Sequence, residues 1–380
     1  MKLETLNHSP KSGWSSKPFP QLDSPQTLVI AFGAPELFDN PAPLRELRDA
    51  YPTSHLVGCS SSGEIFGTEV FDGTVAVAVM KFDKGTIAHS FKQIASTSES
   101  FAAGEALARE LMLNGLRGVL VLSDGIQVNG TDLVRGVNSV LPAEVIVTGG
   151  LAGDAARFQR TWVIRDGAPV SGGISAIGFY GDSILIGHGS RGGWDIFGPQ
   201  RIVTKSEGNV LFELDREPAL TLYKKYLGER ASGLPATGLL FPLAVYPSEG
   251  EEKTLVRTIL AVDEEKQSMT FAGDIPQGAK VQFMKANFDR LVQGASDAAK
   301  MTTQRNKANG GETLSIAISC VGRRLVLGER TEEETEATLE VLPKGTKQIG
   351  FYSYGEISPY TSGHCDLHNQ TMTLTTISEI

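Results

Sequence analysis

The sequence predicts a mixed α/β (α+β) fold, with several mixed sheets flanked by helices and more than one domain. Three observations carry this. The chain has 380 residues, more than a single ordinary core accommodates. Its 41% hydrophobic and 21% charged residues are typical of a globular protein with ample core. Its apolar strands come both as adjacent alternating pairs and with helical segments between them, which calls for antiparallel and parallel neighbours together.

The first 24 residues are polar and are expected to form a loose arm. "TLVIAFG" then reads as a buried strand, and "PAPLRELRDAYP" as a helix opened by proline. "SHLVGCSSSGEIFG" is a strand running into a glycine-serine turn, and "GTVAVAVMKF" with "GTIAHSFKQI" reads as a hairpin of half-buried strands. "SFAAGEALARELML" has helical periodicity, with Ser100 as N-cap. "RGVLVLSDG", "NGTDLVRGVNSVLP" and "EVIVTGGLAGDAARF" give strand, helix, and strand followed by glycines. Three more strands follow in "TWVIRDGAPVSGGISAIGFYG" and "SILIGHGS". A composition shift comes next, with a short strand and a helix over about 218–227. Hairpin strands ("TLVRTILAVD", "SMTFAGDIP", "AKVQFMKA"), a long helix from Asn287 and the buried strand "TLSIAISCVG" succeed it. An acidic helix, "TEEETEATLEVL", and the strands "QIGFYSYGEIS" and "TMTLTTISE" close the chain.

A net charge of −9 argues against capture of nucleic acid or an anionic membrane, both of which need clustered Lys and Arg. No run is long enough to span a bilayer, and "MKLETLNHSPKSGW" lacks a signal peptide's apolar stretch. Cys59, Cys320 and Cys365 are few and scattered, so a reduced, cytoplasmic protein is expected.

Several residue groups invite chemistry. In "GHGSRGGW", His188 stands between Gly187 and Gly189, with Arg191 and Trp194 after it. Imidazole is a common haem-iron ligand, glycines admit close approach, and a guanidinium matches a propionate; a water-exposed turn is the plain alternative. "HCDLH" places His364, Cys365, Asp366 and His368 within five residues, all metal-ligand types but without a second ligand pair at metal-like spacing. Around Cys59 and Ser60–Ser62 the G-x-S-x-G elbow is incomplete, so no hydrolase nucleophile is assigned and the chain is read as a non-enzyme. Glu64 and Glu356 read as buried, hydrogen-bonded structural carboxylates rather than an acid–base pair. His55 and His89 read as surface or core-edge histidines, and "ERTEEETEA" as a solvated helix face.

"SSSGEI" matches "YSYGEI", and "LAGDAA" matches "FAGDIP" in the opposite order, which suggests two related, permuted modules whose GEI and AGD segments line their interface. Together with "GGLAGDAARF", "IVTKSEGNVLFELDREPALTLYKKYLG", "SCVGRRLVLGE" and "GFYSYGEISPY…CDLHNQTMTLTTISE", the segment "HLVGCSSSGEIFG" resembles the FIST-domain proteins. Composition sets the arm at 1–24 and the boundary at the shift near 212/213, and the resemblance makes 25–212 an N-terminal FIST module and 213–380 a C-terminal one. It implies a sensory role in which a small ligand controls a histidine kinase or a cyclic-di-GMP enzyme, and leaves homo-oligomerisation open. "GHGSRGGWDIFGP" is similar to the haem-binding, nitric-oxide-sensing subgroup. That likeness implies haem b held non-covalently by His188, with Gly187, Gly189, Arg191 and Trp194 around it. The alternative expectation is a haem-free FIST sensor of an amino acid or similar small ligand.

Overall fold

The computed structural model describes residues 1–246, 254–305, 312–360 and 363–380. The predicted mixture of elements resolves into three copies of one unit. Each copy has an edge strand, a central strand, a helical crossover, a second central strand, a short hairpin and a return strand. The first copy comprises β1 (Lys2–Ser9), β2 (Gly13–Trp14), β3 (Thr27–Gly33), α1 (Ala42–Ala50), β4 (His55–Ser60), β5 (Glu64–Phe66), β6 (Glu69–Phe71) and β7 (Val75–Lys81). The second comprises β8 (Thr86–Gln93), α2 (Ser100–Leu111), β9 (Leu116–Ser123), α3 (Gly130–Asn138), β10 (Ile146–Leu151), β11 (Val163–Arg165), β12 (Ala168–Val170) and β13 (Gly173–Tyr180).

The third copy begins with β14 (Ile184–Arg191) and is interrupted by an insert. The insert contains β15 (Asp195–Glu207), β16 (Val210–Leu214), β17 (Glu217–Pro218), α4 (Ala219–Leu227), β18 (Leu243–Tyr246), β19 (Leu255–Arg257), β20 (Ile259–Asp263), β21 (Ser268–Phe271) and β22 (Lys280–Lys285). The copy resumes with α5 (Phe288–Arg305), β23 (Thr313–Cys320), α6 (Val321–Leu327), α7 (Thr331–Val341), β24 (Lys347–Ser353), β25 (Gly355–Pro359), β26 (Cys365–His368) and β27 (Met372–Glu379).

In each copy the two central strands run parallel, which requires the helical crossover between them. The return strand is antiparallel to the first central strand and pairs outward with the edge strand. The hairpins are exchanged around a ring. The β5–β6 hairpin of the first copy pairs with β24 of the third, β25–β26 of the third with β10 of the second, and β11–β12 of the second with β4 of the first.

The three inner faces meet in one core that includes Ile30, Phe32, Leu120, Ile316 and Phe351. Helices cover the outer faces: α1 on the first sheet, α2 and α3 on the second, α5 and α7 on the third. Burial on both faces explains why the central strands read as unbroken apolar runs. The insert forms an eight-stranded sheet whose core, with Tyr223 of α4, Phe271 and Phe283, is its own.

Four expectations change. The loose arm is β1, paired with β7 and burying Leu3 and Leu6 on opposite faces; its apolar residues are too sparse to show a period. β7 and β8 do not pair as a hairpin; they belong to different sheets, and β7 is buried on both faces rather than half-buried. Ser100 opens α2 without capping it, its hydroxyl instead bonding the Thr97 carbonyl and the Asn129 amide. The module boundary expected at 212/213 is not among these; it falls in β16 of the insert, whose sheet takes strands from both sides of it. The permuted order of the two motifs does not hold, because the elements form three repeats: the GEI match is a true structural equivalence, whereas "LAGDAA" follows β10 and "FAGDIP" follows β21 of the insert.

Candidate ligand cleft

Each crossover starts at the carboxyl end of its first central strand, the place where open α/β sheets hold ligands; in the third repeat α6 follows β23 directly, and in the other two a loop intervenes. In the second repeat this loop runs from Asp124 to Asn129 and opens α3. Asp124 fixes it by accepting from the amides of Ile126 (2.8 Å), Gln127 (2.7 Å) and Gly172 (3.0 Å). Asn129 caps α3 through the Asp132 amide at 3.1 Å, so the first turn of α3 presents its N–H groups to whatever lies in front.

What lies in front is a cleft of 320 Å³. Its second-repeat wall is Thr97, Gly125, Ile126 and residues 128–131 with Leu151 and Phe158; its third-repeat wall is Tyr354 and Leu367; the insert contributes Asn209, Leu260 and residues 271–274. Three chain regions that are remote in sequence therefore close one space. Thr131 Oγ1 is buried there and has no hydrogen-bond partner among the described residues.

Phe158 is 47% exposed and sits at positive φ (51°), a costly conformation for an aromatic residue. Asp154 holds it there. Its carboxylate accepts from the Phe158 (2.8 Å), Gln159 (2.9 Å) and Arg160 (2.9 Å) amides and from the Tyr354 hydroxyl. Phe158 and Tyr354 then stack, with ring centroids 4.4 Å apart and planes within 13°. Asp274 faces them from the insert, and burial, followed by the Asp132 charge, raises its carboxyl above the usual range. Behind Gly273, the buried Arg257 guanidinium donates to the carbonyls of Val256, Asp274 and Leu367, tying the insert to the third repeat.

The GEI carboxylates serve the framework. Glu64 accepts from the Ser61 hydroxyl and from the amide and hydroxyl of Thr74 (2.9 and 2.8 Å). Glu356 repeats the pattern with Ser353 (2.6 Å) and the Thr371 amide and hydroxyl (3.2 and 2.9 Å). Burial pushes the two carboxyls up to about 7 and about 8. In the second repeat, Asp124 performs the same service for Gly172, ahead of β13.

The five residues singled out around His188 do not converge. Strand alternation points Gly187, Gly189 and Arg191 to one face of β14 and His188 to the other. A Cβ at Gly189 would lie 2.0 Å from the Ala298 carbonyl oxygen, and one at Gly187 would lie 2.5 Å from that of Thr302. Those glycines let α5 press onto the strand. His188, 2% exposed, points inward and is paired in register with Thr375 of β27. Trp194 packs with Met284 and Leu291 in a separate cluster and donates from Nε1 to the Gln370 carbonyl at 2.8 Å. The C-terminal cluster also splits. His364 is exposed, Cys365 is buried against Asn138, and His368 donates from Nε2 to the Ser358 carbonyl at 2.9 Å. Among the described residues, no three His, Cys, Asp or Glu side chains form a metal-ligand group. Cys59 and Cys320 are buried, with burial pushing both thiols up, the opposite of an activated nucleophile.

Residue-type reasoning had named none of Asn129, Thr131, Phe158, Tyr354 and Asp274 as binding residues. The usable signal was the pair of AGD and GEI motifs, expected at an interface, which is where Leu151, Asp274 and Tyr354 now meet.

Comparison with protein families matches two domains along the chain. The FIST N domain matches residues 27–217, half of the chain, and the FIST C domain matches 219–359. The chain is a FIST-domain protein. FIST domains are sensory domains, so this chain is a member of a sensory family. It is also similar to an uncharacterized protein of Methanocaldococcus jannaschii, 24% identical over 356 residues. That match covers 82% of this chain and 65% of the archaeal protein, so the relative is substantially longer. No helix among the described residues is long and apolar enough to cross a membrane.

Proposed function

We propose that this FIST protein is a cytoplasmic, non-enzymatic sensor that binds an amino acid or similar small polar ligand, without haem, in the cleft between the second repeat, the third repeat and the insert. The observation that carries this is the meeting of chemically different groups in one space. The α3 amino terminus and Thr131 Oγ1 offer donors to a carboxylate, Asp274 offers an acceptor to an ammonium, and Phe158 with Tyr354 offers an aromatic wall. A ligand touching both insert and core stabilises their closed arrangement by its differential affinity for that state. The altered surface would be read by a histidine kinase or a cyclic-di-GMP enzyme. Calorimetric titration with the standard amino acids tests this. Binding to wild type that weakens in Phe158→Ala and Asp274→Asn supports the reading, and binding indifferent to both substitutions overturns it.

Haem b at His188, with nitric oxide as the signal, is the rival reading, and these residues do not fit it. A macrocycle at the imidazole would have to enter the core between sheets, while the glycines that should admit it are already filled by the α5 backbone. Arg191 points to the opposite face of the strand from His188, so it cannot serve a propionate of the same haem.

A further inference from the structure

The third repeat contains a sister of the ligand cleft. Its cavity, of 420 Å³, is bounded by the crossover segment Val321–Glu332 and by Ser62 and Val70 of the exchanged β5–β6 hairpin. The carboxylate stations fix the equivalence. Glu64 with Thr74 corresponds to Glu356 with Thr371, so Ser62 matches Tyr354, Gly63 matches Gly355, and Asp72 matches Asn369. Val70 pairs with Ile65 as Leu367 pairs with Ile357, which matches Val70 to Leu367.

The sister cavity is supplied with a cation by its own chain. Arg324 donates to the Ser62 carbonyl (2.6 Å) and, in bidentate fashion, to Asp72 (2.8 and 2.7 Å), with its guanidinium 5.6 Å from the Tyr352 ring centre. Gly63 makes room for it: a Cβ there would lie 2.5 Å from Arg324 Nη1. At Gly355 the same construction meets the ends of Leu367 (2.9 Å) and Leu151 (3.6 Å) and Asn369 Nδ2 (3.7 Å). No arginine occurs in the second repeat's loop, "DGIQVNGT". Asn369, 1% exposed, keeps both amide atoms without a hydrogen-bond partner among the described residues, a rare condition for a buried side chain. Arg257 does not substitute, because its guanidinium is taken up by the carbonyls of Asp274 in the insert and Leu367 in the third repeat, and Asn369 is left without a partner among the described residues.

We infer that the ligand of the cleft carries a cationic side-chain end, a guanidinium or an ammonium distinct from any α-ammonium, seated beside Asn369 and the Tyr354 carbonyl as Arg324 is seated beside Asp72 and the Ser62 carbonyl. The inference rests on the cleft being the ligand site. It adds the charge of the ligand and a residue, Asn369, that the cleft walls alone do not reveal. Asp274 and the stacked Phe158–Tyr354 pair favour the same sign of charge.

The test titrates the full chain with L-arginine and agmatine, against L-citrulline, the isostere of arginine with an uncharged side chain, and L-leucine, with an apolar one, both of which keep the α-ammonium. Arginine or agmatine should bind at least tenfold tighter than citrulline. Asn369→Asp, which copies the sister cavity, should widen that preference, and Asn369→Leu should abolish it. Citrulline or leucine binding as tightly as arginine, with Phe158→Ala still weakening it, overturns the cationic side chain and leaves the cleft standing. Binding of all four probes that ignores Phe158→Ala and Asn369→Leu alike removes the cleft itself.

Discussion

β14 and the segment after β10 both set glycines around a polar residue, and they use them for opposite ends. In β14, Gly187 and Gly189 are consumed by packing: carbonyls of α5 occupy the places where side chains would stand. After β10, the chain turns at Gly153 and Asp154, lifts Phe158 into an open cleft and anchors it through three amides. A glycine beside chemistry-bearing residues thus marks close approach, but the approaching partner can be the protein's own helix as readily as a ligand. The face of the strand decides which.

The sharpest way to break this contrast is to add a methyl group on each side. Gly189→Ala should destabilise the protein by about 3 kcal/mol, because a backbone carbonyl cannot yield as a flexible side chain can. Gly130→Ala at the cleft meets only the ends of Leu151 and Leu367, 3.0 Å away, and should cost under about 1 kcal/mol while reducing ligand affinity. Denaturant melts of the two variants compare them directly; equal losses would erase the distinction.

Next in size is Phe158→Ala, which should weaken ligand binding at least tenfold, about 1.4 kcal/mol, with little change in melting, since the ring is half exposed.

A pH effect of similar size separates the repeats. His89, near His55 and bonded to Ser175, is held down to about 4 by burial, with the His55 charge adding. Its folded form takes up a proton less readily than its unfolded form, so stability falls as pH drops from about 6.5 towards 4, by on the order of 1–2 kcal/mol. Glu356 is raised instead, so its contribution is full at acid pH and is lost as pH rises from the ordinary carboxylate range through about 8. His89→Asn should flatten the acid limb of a stability–pH curve and Glu356→Gln the alkaline limb. Limbs unchanged in both variants would show that these groups do not set them.

Much of the fold was legible in the sequence. The alternation of apolar runs with helical segments located the central strands and crossover helices, because burial on both faces leaves a continuous signal. The ring of exchanged hairpins was not legible. A three-residue strand such as Glu64–Phe66 carries no period, and nothing local reports which sheet it joins. The GEI echo was visible, yet the second repeat escaped notice because Asp124 does the work of the missing glutamate from a different place in the chain. The cleft was half legible for the same reason: its AGD and GEI walls were flagged, while Asn369 acquires meaning only from its equivalence to Asp72.

The smallest expected effect is that of His364→Ala. An exposed side chain outside every described ligand group should change neither binding nor stability by more than about 0.5 kcal/mol. A larger loss would return the C-terminal cluster to consideration.

The central claim, that the sensing site is the cleft at Phe158 and not the strand at His188, is tested most directly by one comparative titration. Wild type, Phe158→Ala and His188→Gln are titrated calorimetrically with the tightest-binding compound of the amino-acid and amine panel. The account predicts at least a tenfold loss in Phe158→Ala and an affinity within about twofold of wild type in His188→Gln. Affinity kept in Phe158→Ala and lost in His188→Gln would contradict it.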